Sequence, residues 1–170
     1  MRTRYTLVGT ELGQLTLVAD GDDLVGLYFP HHWYRPEPDT LGLPVAAADD
    51  PVLAAATVQL DEYLAGARRE LDVPLATNGD ELQERVWALL RETPYGRTTT
   101  YGELAGRLGD RSLAQQVGQA VGRNPLCVFI PCHRVVGKDG RLTGYAGGLS
   151  RKRWLLELEE PAEVGAGRLS

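Results

Sequence analysis

A cysteine and a histidine stand side by side in the run Pro131-Cys132-His133-Arg134, and this pair is the part of the chain best suited to chemistry. A thiol becomes a nucleophile when it loses its proton, and a neighbouring imidazole can take that proton. The apolar run before the pair, residues 126–130, predicts a buried strand. Because proline interrupts the hydrogen bonding of a strand, we expect Pro131 to turn the chain out of the sheet and to present the thiol.

Length and composition are those of a globular protein. The chain has 170 residues, 43% of them hydrophobic, enough for one domain or two small ones. No apolar run approaches the roughly 20 residues that cross a bilayer, and no signal-peptide pattern is present. Cys127 and Cys132 would leave a strand on opposite sides, which argues against a disulfide. The sequence therefore predicts a cytoplasmic location and no membrane partner.

Charge divides the chain into two unlike halves. Residues 1–80 hold 5 Lys and Arg against 13 Asp and Glu, whereas residues 81–170 hold 13 against 10, within a net charge of -5. The basic residues of the stretch 123–153, where Asp139 is the sole acid, are Arg123, Arg134, Lys138, Arg141, Arg151, Lys152 and Arg153. This stretch could contact phosphate, although an unevenly charged, solvated surface explains it equally well.

The pattern of elements predicts two domains. Short β-favouring runs over residues 5–8, 14–19 and 24–29 predict an antiparallel meander. An irregular loop is expected over residues 30–50, followed by a helix that begins at Pro51. The expected divisions are an N-terminal domain over 1–76, a C-terminal domain over 77–162 and a flexible tail over 163–170.

Three helix starts follow one another in the C-terminal half. Each has the spacing of a capping box, in Asp80 with Gln83, Thr100 with Glu103, and Ser112 with Gln115. Residues 109–111 alone separate the second helix from the third, which is the length of the turn in a helix-turn-helix. This spacing makes DNA binding a hypothesis to test.

The third helix has one apolar face and one face of small residues. The apolar face, spaced as a core face, comprises Leu113, Val117, Ala120 and Val121. The opposite face comprises Ala114, Gly118 and Gly122. A helix about 10 to 12 Å across enters a minor groove about 6 Å wide only if its side chains are small. Close packing of a second helix explains the same stripe equally well.

Taken together, these motifs resemble the O6-alkylguanine-DNA alkyltransferases. The matching segments are Val86-Trp87, Pro94-Tyr95-Gly96, residues 100–105, Val117-Gly118, Asn124-Pro125, residues 130–137, residues 142–145 and Gly147-Gly148. They cover residues 80–160 densely. The resemblance implies an α+β fold, in which an N-terminal ribonuclease H-like antiparallel sheet with a helix precedes a helical domain with a winged-helix-like helix-turn-helix.

The resemblance implies direct reversal of DNA damage without a cofactor. Cys132 would accept an alkyl group from O6 of guanine once and irreversibly, after the nucleotide is flipped out of the duplex; whether O4-alkylthymine also reacts stays open. In the family a histidine takes the thiol proton through a water and a glutamate orients the imidazole, and these positions are His133 and Glu159. Tyr101 matches a tyrosine whose hydroxyl donates to the guanine ring.

The resemblance also assigns residues around the base. Tyr145 and the main chain of Ala146 match a loop that covers the base, and an amide of Val135 is expected nearby. Asn124 matches a hinge asparagine, although it could simply end its helix before Pro125. Val121 is also expected to contact the substrate.

Double-stranded DNA with alkylated bases is the implied partner. The expected DNA contacts are Ser112, Gln115, Gly118, Arg123 and Arg134. Many relatives carry an arginine where this chain has Gln115, so Gln115 or Arg111 could replace the flipped nucleotide, unless Gln115 only caps its helix. Whether copies associate cooperatively on DNA stays open.

Other sites and functions were weighed beside this one. Some relatives hold zinc in the N-terminal domain, but this half has no cysteine, and His31-His32 alone cannot build a tetrahedral site, so no metal is expected. A cysteine hydrolase would use a similar trio of side chains and turn over. A non-catalytic damage sensor related to the family would lack the acceptor cysteine, which this chain has.

Overall fold

The computed structural model describes residues 3–32 and 35–160. Contacts divide the chain into two compact units. The first contains the chain up to Asn78 together with Pro125–Phe129, and the second contains Gly79–Asn124 and the chain from Ile130 onward. No helix in the described ranges is long and apolar enough to cross a membrane. The expected flexible tail, residues 163–170, lies outside the described residues.

The first unit is built on the predicted meander. Three antiparallel strands, β1 (Thr3–Thr10), β2 (Gly13–Asp20) and β3 (Asp23–Tyr28), pair in sequence order. A two-residue strand, β4 (Leu43–Pro44), adds to β1 in parallel, so the sheet order is β3-β2-β1-β4. The predicted α+β class with an N-terminal sheet is therefore confirmed.

The segment predicted as an irregular loop, residues 30–50, holds short regular elements. Besides β4, it forms 3-10 turns at Pro38–Thr40 and Ala47–Asp49. In each turn, the residue just after the end donates its amide to the carbonyl of the first residue. These bonds run from Leu41 to Pro38 and from Asp50 to Ala47. Elements of two or three residues carry no periodicity, and for this reason the sequence pattern did not reveal them.

The predicted helix α1 (Pro51–Leu64) follows, and its start is fixed by one carboxylate. Asp50 accepts from the amides of Val52 and Leu53, each at 3.1 Å, and also pairs with Arg4 on β1. The helix packs against β1, β2 and β3 through an apolar face that includes Leu53, Ala56, Leu60 and Leu64. A positive φ at Gly66 follows its end, as expected for a glycine stop.

The second unit is helical, with a small parallel pair of strands. Its elements are α2 (Glu81–Arg91), β5 (Thr99–Thr100), α3 (Tyr101–Arg107), α4 (Ala114–Gly122), β6 (Val135–Val136) and α5 (Leu149–Glu159). β5 pairs with β6. α4 packs against both α2 and α3, and the indole of Trp87 donates to the carbonyl of Ala120 at 2.8 Å. This arrangement is the predicted helical domain with a helix-turn-helix.

Two of the three predicted helix caps are present, and the third is wrong. Asp80 and Gln83 form the reciprocal box at α2, and Thr100 accepts from the amide of Glu103 at α3. Before α4, Asp110 is the capping residue of a 3-10 turn at Arg111–Leu113, and the hydroxyl of Ser112 donates to Asp110. α4 itself begins after Leu113 without a side-chain cap, because the 3-10 turn already uses the polar groups of this region.

The predicted strand over residues 126–130 is also wrong. This segment has only isolated bridges, and Val128 adopts a positive φ of 75°, which breaks a strand. Leu126 bridges to Leu27, and the amide of Leu27 donates to the carbonyl of Pro125. The apolar run therefore reflects burial within the first unit rather than a strand leading to Cys132.

Candidate active site

Cys132 opens a 3-10 turn, Cys132–Arg134, that leads directly into β6. The amide of Cys132 donates to the carbonyl of Ile130 at 2.7 Å, and the same carbonyl accepts from the side chain of Asn124 at 2.8 Å. Asn124 is itself buried, so its amide fixes the chain immediately before the cysteine. We expected Pro131 to present the thiol, and the structure leaves Cys132 only 4% exposed.

The neighbouring histidine is held by a carboxylate from α5. Nε2 of His133 lies 2.7 Å from Oε2 of Glu159, and both side chains are buried. The other ring nitrogen, Nδ1, is buried and has no hydrogen-bond partner among the described residues. Because Glu159 occupies the Nε2 side as an acceptor, Nδ1 is the nitrogen able to take a proton from a neighbouring group.

Arg134 is not where the DNA-contact prediction placed it. Its guanidinium donates from Nε and Nη2 to the two oxygens of Glu159, at 2.8 and 2.9 Å, and from Nη1 to the carbonyl of Thr93 at 2.6 Å. It also lies 5.7 Å from the ring centre of Tyr95. The prediction that Arg134 contacts DNA is wrong, because these partners hold it inside the protein at 7% exposure.

The electrostatics of this cluster favour an oriented, neutral imidazole. Burial lowers the pKa of His133 well below its usual value, and the positive charges of Arg134 and Lys152 lower it further. Burial raises the pKa of Glu159 to about 8, against the opposing effect of a hydrogen bond from the Gly96 amide. The guanidinium of Arg134, in contact with both oxygens, favours the ionised carboxylate. An ionised Glu159 fixes a proton on Nε2 and leaves Nδ1 as the acceptor.

Tyr101 begins α3 and is tied to the segment before Tyr145. Its hydroxyl lies 2.8 Å from Oγ1 of Thr143. On α4, a Cβ added at Gly118 would lie 3.7 Å from carbons of the Tyr101 ring, which is an ordinary van der Waals distance. Packing within the chain therefore does not require a glycine at position 118. The explanation that the small residues of α4 serve close packing of a second helix loses support at this position.

The expected base-covering loop is a tight turn against α5. Tyr145 and Ala146 are buried, and the amide of Gly148 donates to the carbonyl of Tyr145 at 2.9 Å. The amide of Val135, which we expect near the base, donates to the carbonyl of Cys132. Val121 is buried on α4 with the core face and lies among the apolar residues rather than on the surface.

The remaining predicted DNA contacts lie on the outside of the helix-turn-helix. Ser112, Gln115 and Arg123 are exposed, and Gly118 is half-buried. Arg111 is exposed too, but its side chain lies along α3, with Nη1 3.3 Å from a Cβ added at Gly102 and Nε 3.4 Å from one at Gly106.

Comparison with known proteins agrees with this geometry. The family model for the DNA binding domain of 6-O-methylguanine DNA methyltransferase matches residues 81–161, and the model for its ribonuclease-like domain matches residues 3–77. The chain belongs to the 6-O-methylguanine DNA methyltransferase family. The predicted resemblance is confirmed.

Individual members of this family align over nearly the whole chain. A methylated-DNA--protein-cysteine methyltransferase of Mycobacterium tuberculosis is 42% identical over 94% of this chain and 96% of its own length. The constitutive enzyme of that name from Bacillus subtilis is 37% identical over 91% and 94%. A crystal structure of Mycobacterium tuberculosis OGT in complex with DNA superposes with a TM-score of 0.82, at 41% identity, covering 95% of this chain and 98% of that one.

Sequence reasoning missed two residues of the candidate site. Thr143 holds the hydroxyl of Tyr101, and Lys152 donates to the carbonyls of Thr143 and Gly144. The charge pattern had grouped Lys152 with surface cations, whereas it is fully buried. Its spacing of two helical turns from Glu159 was the available signal, because residues seven apart share one helix face.

Among the described residues, no group of three or more His, Cys, Asp or Glu side chains could hold a metal ion. His32 is a structural histidine instead. Its Nδ1 accepts from the amide of Phe29, and its ring stacks on that phenylalanine. Burial lowers its pKa to about 4.

Proposed function

We propose that this protein repairs O6-alkylguanine in DNA by transferring the alkyl group irreversibly to its own Cys132. The observation that carries the proposal is the buried pair of His133 and Glu159 immediately after that cysteine, with Nδ1 of the imidazole left to accept a proton. Family membership supplies the substrate class, since the relatives that align over nearly the whole chain are methyltransferases of methylated DNA.

In the proposed reaction, the thiol of Cys132 gives its proton to Nδ1 of His133 through a water. The thiolate attacks the alkyl carbon, so an S–C bond forms and the bond from that carbon to O6 breaks. The electron pair of the broken bond stays on the guanine, and Tyr101 donates a hydrogen bond to the ring as this charge develops. The proton held by His133 then returns through solvent to the guanine, leaving a neutral base and an alkyl thioether.

A buried acceptor requires the damaged nucleotide to leave the duplex. Cys132 is 4% exposed, so a base stacked in DNA cannot reach its sulfur, and the nucleotide must be flipped. The turn at Tyr145 and Ala146 is proposed to cover the flipped base, and Asn124 to hold the chain before Cys132 in place.

The outer face of α4 is the proposed contact with the minor groove. It presents Gln115 and Gly118 along the helix and Arg123 after its end, while Ser112 lies in the turn before it. Lys138 and Arg141 are exposed on the turn after β6 and add positive charge to the same unit. Phosphate contacts from such residues make affinity salt-dependent.

Gln115→Ala is expected to slow repair of duplex DNA about tenfold, because it removes one hydrogen bond to the base left unpaired by nucleotide flipping. Repair of single-stranded substrate should be unaffected, since it has no such base. Gln115 is favoured over Arg111 because the arginine lies along α3. The measurement is the rate of transfer to both substrates. Arg111→Ala is the comparison, and a duplex-specific loss in that variant alone would assign the role to Arg111 instead.

The function itself is tested by mass spectrometry after incubation with a duplex that contains O6-methylguanine. A stable gain of one methyl group on the Cys132 peptide, in a ratio that never exceeds one per protein, is expected. Binding without any gain would indicate a damage sensor, and repeated turnover without a stable adduct would indicate a hydrolase. A duplex with O4-methylthymine in the same assay tests the second substrate.

We place this reaction in the cytoplasm, because it needs a reduced thiol. Cys127 and Cys132 are both free thiols, and no disulfide joins them. A reducing compartment keeps such thiols available.

A further inference from the structure

Lys152 is a buried ammonium to which the proposed reaction gives no role. It lies on α5, two helical turns before Glu159 and on the same face, and it is fully buried. α5 packs against the turn that carries Cys132 and His133. The face of α5 that brings Glu159 to His133 therefore also brings Lys152 towards this turn.

No carboxylate of the described residues balances the charge of Lys152. Its Nζ donates to the carbonyl of Thr143 at 3.1 Å and to that of Gly144 at 3.5 Å, which leaves one of its three protons for another acceptor. Burying an unpaired ammonium is unfavourable, so a protein that keeps one has a reason to do so.

The turn that α5 packs against carries the thiol of Cys132, which can balance the charge of Lys152 once it ionises. Burial lowers the pKa of Lys152 to about 8, and the charge of Cys132 opposes this change. The charged groups of this region are Cys132, His133 and Arg134 on the turn and Lys152 and Glu159 on α5, and the phenols of Tyr95 and Tyr101 lie beside Arg134 and Thr143. Since Arg134 is already paired with Glu159, Lys152 is the buried cation of this group that no carboxylate of the described residues balances.

The histidine cannot supply this charge by itself. Burial, Arg134 and Lys152 all lower the pKa of His133, so an imidazolium forms there only with difficulty. A base that resists protonation gives up its proton readily, so it is a poor lasting counter-ion for a thiolate. The proton relay and the counter-charge therefore belong to different residues.

We propose that Lys152 is a positioning residue for Cys132: its buried ammonium holds the sulfur as a thiolate, and its hydrogen bonds hold residues 143–144 in place. This inference rests on the proposed function of Cys132 as the alkyl acceptor. Because Thr143 also contacts the hydroxyl of Tyr101, the same lysine sets the position of the tyrosine that faces the base.

The test measures the reactivity of Cys132 without DNA. The rate of its carbamidomethylation by iodoacetamide is followed from pH 5 to pH 10 on the Cys132 peptide by mass spectrometry, which separates it from Cys127. Lys152→Met is expected to react about tenfold more slowly than wild type at pH 7, a rise of one unit in the pKa of the thiol, and equally fast at pH 10. Arg85→Met, which removes an exposed positive charge from α2, is the matched control and is expected to follow wild type.

Stability provides the second measurement. Lys152→Met removes a buried charge, which favours stability, and two hydrogen bonds to carbonyls, which opposes it, so the variant is expected to stay folded with a melting temperature near that of wild type. Lys152→Gln, whose amide can still donate to Thr143, is measured in the same way. An unchanged pH profile in the neutral variants, or failure of both to fold, would overturn the proposal, because either result makes the lysine purely structural.

The assay keeps this inference separate from the proposed function. Failure of the lysine variants to shift the reactivity of Cys132 leaves methyl transfer by wild type untouched. Absence of a methyl group on wild-type Cys132 after incubation with damaged duplex refutes the function whatever the lysine does.

Discussion

Cys132→Ser is expected to lose alkyl transfer by about 10⁴-fold or more, the scale of loss when an enzyme's nucleophile is removed. The serine hydroxyl remains protonated where a thiol can ionise, and neither His133 nor Lys152 can compensate for that difference. Binding to duplex DNA should be retained, because Cys132 lies at 4% exposure and contributes no surface. The measurement pairs methyl uptake by mass spectrometry with a binding titration on the same oligonucleotide.

Cys127→Ala is the matched control for this substitution. Cys127 is fully buried and belongs to the first unit, whereas Cys132 belongs to the second. The control should keep transferring methyl groups at the wild-type stoichiometry. Transfer that survives in Cys132→Ser, or that moves to the Cys127 peptide, would remove the acceptor role from Cys132.

Arg134→Met is expected to lower the free energy of unfolding by about 3–5 kcal/mol, because it leaves the carboxylate of Glu159 buried without its cation. The substitution removes both hydrogen bonds to Glu159 and the one to Thr93. Urea unfolding at pH 8 measures the loss. Arg141→Met is the control, since its side chain is 79% exposed and its removal should stay within about 0.5 kcal/mol.

The loss in Arg134→Met should also depend on pH. Burial already raises the pKa of Glu159 from 4.5 to about 8 in the wild-type protein, and without the guanidinium only the hydrogen bond from the Gly96 amide and that to His133 remain to oppose it. A raised pKa means that the folded state keeps its proton longer than the unfolded state, so stability falls as pH rises from 4.5 through 8. The variant should therefore be closer to wild type at pH 5 than at pH 8. An equal loss at both values would show that packing, not charge, is what Arg134 supplies.

Local interactions explain which elements the sequence predicted well. Asp50 before Pro51 and Asp80 with Gln83 each satisfy amides within three residues, so the starts of α1 and α2 needed no information from elsewhere. The meander followed in the same way from short β-favouring runs and tight turns. At Ser112 the local rule failed because Asp110 caps the 3-10 turn before α4 and accepts from both the amide and the hydroxyl of Ser112.

Long-range partners explain the errors. The apolar run 126–130 has the composition of a strand, but the partner of Leu126 is Leu27, about a hundred residues earlier, and it makes only an isolated bridge. This outcome is not encoded in the neighbouring residues.

The sequence by itself determined the family, the meander and the starts of α1 and α2, because these depend on residue types at short spacing along the chain. Only the tertiary structure decided which basic residues face outward and which serve the site. Arg134 and Lys152 lie in a stretch that also holds exposed cations such as Lys138, yet Arg134 is buried against Glu159 of α5 and Lys152 against the segment before α5. Charge and spacing do not tell a surface cation from a buried one, since burial depends on partners that the fold alone brings within hydrogen-bond distance.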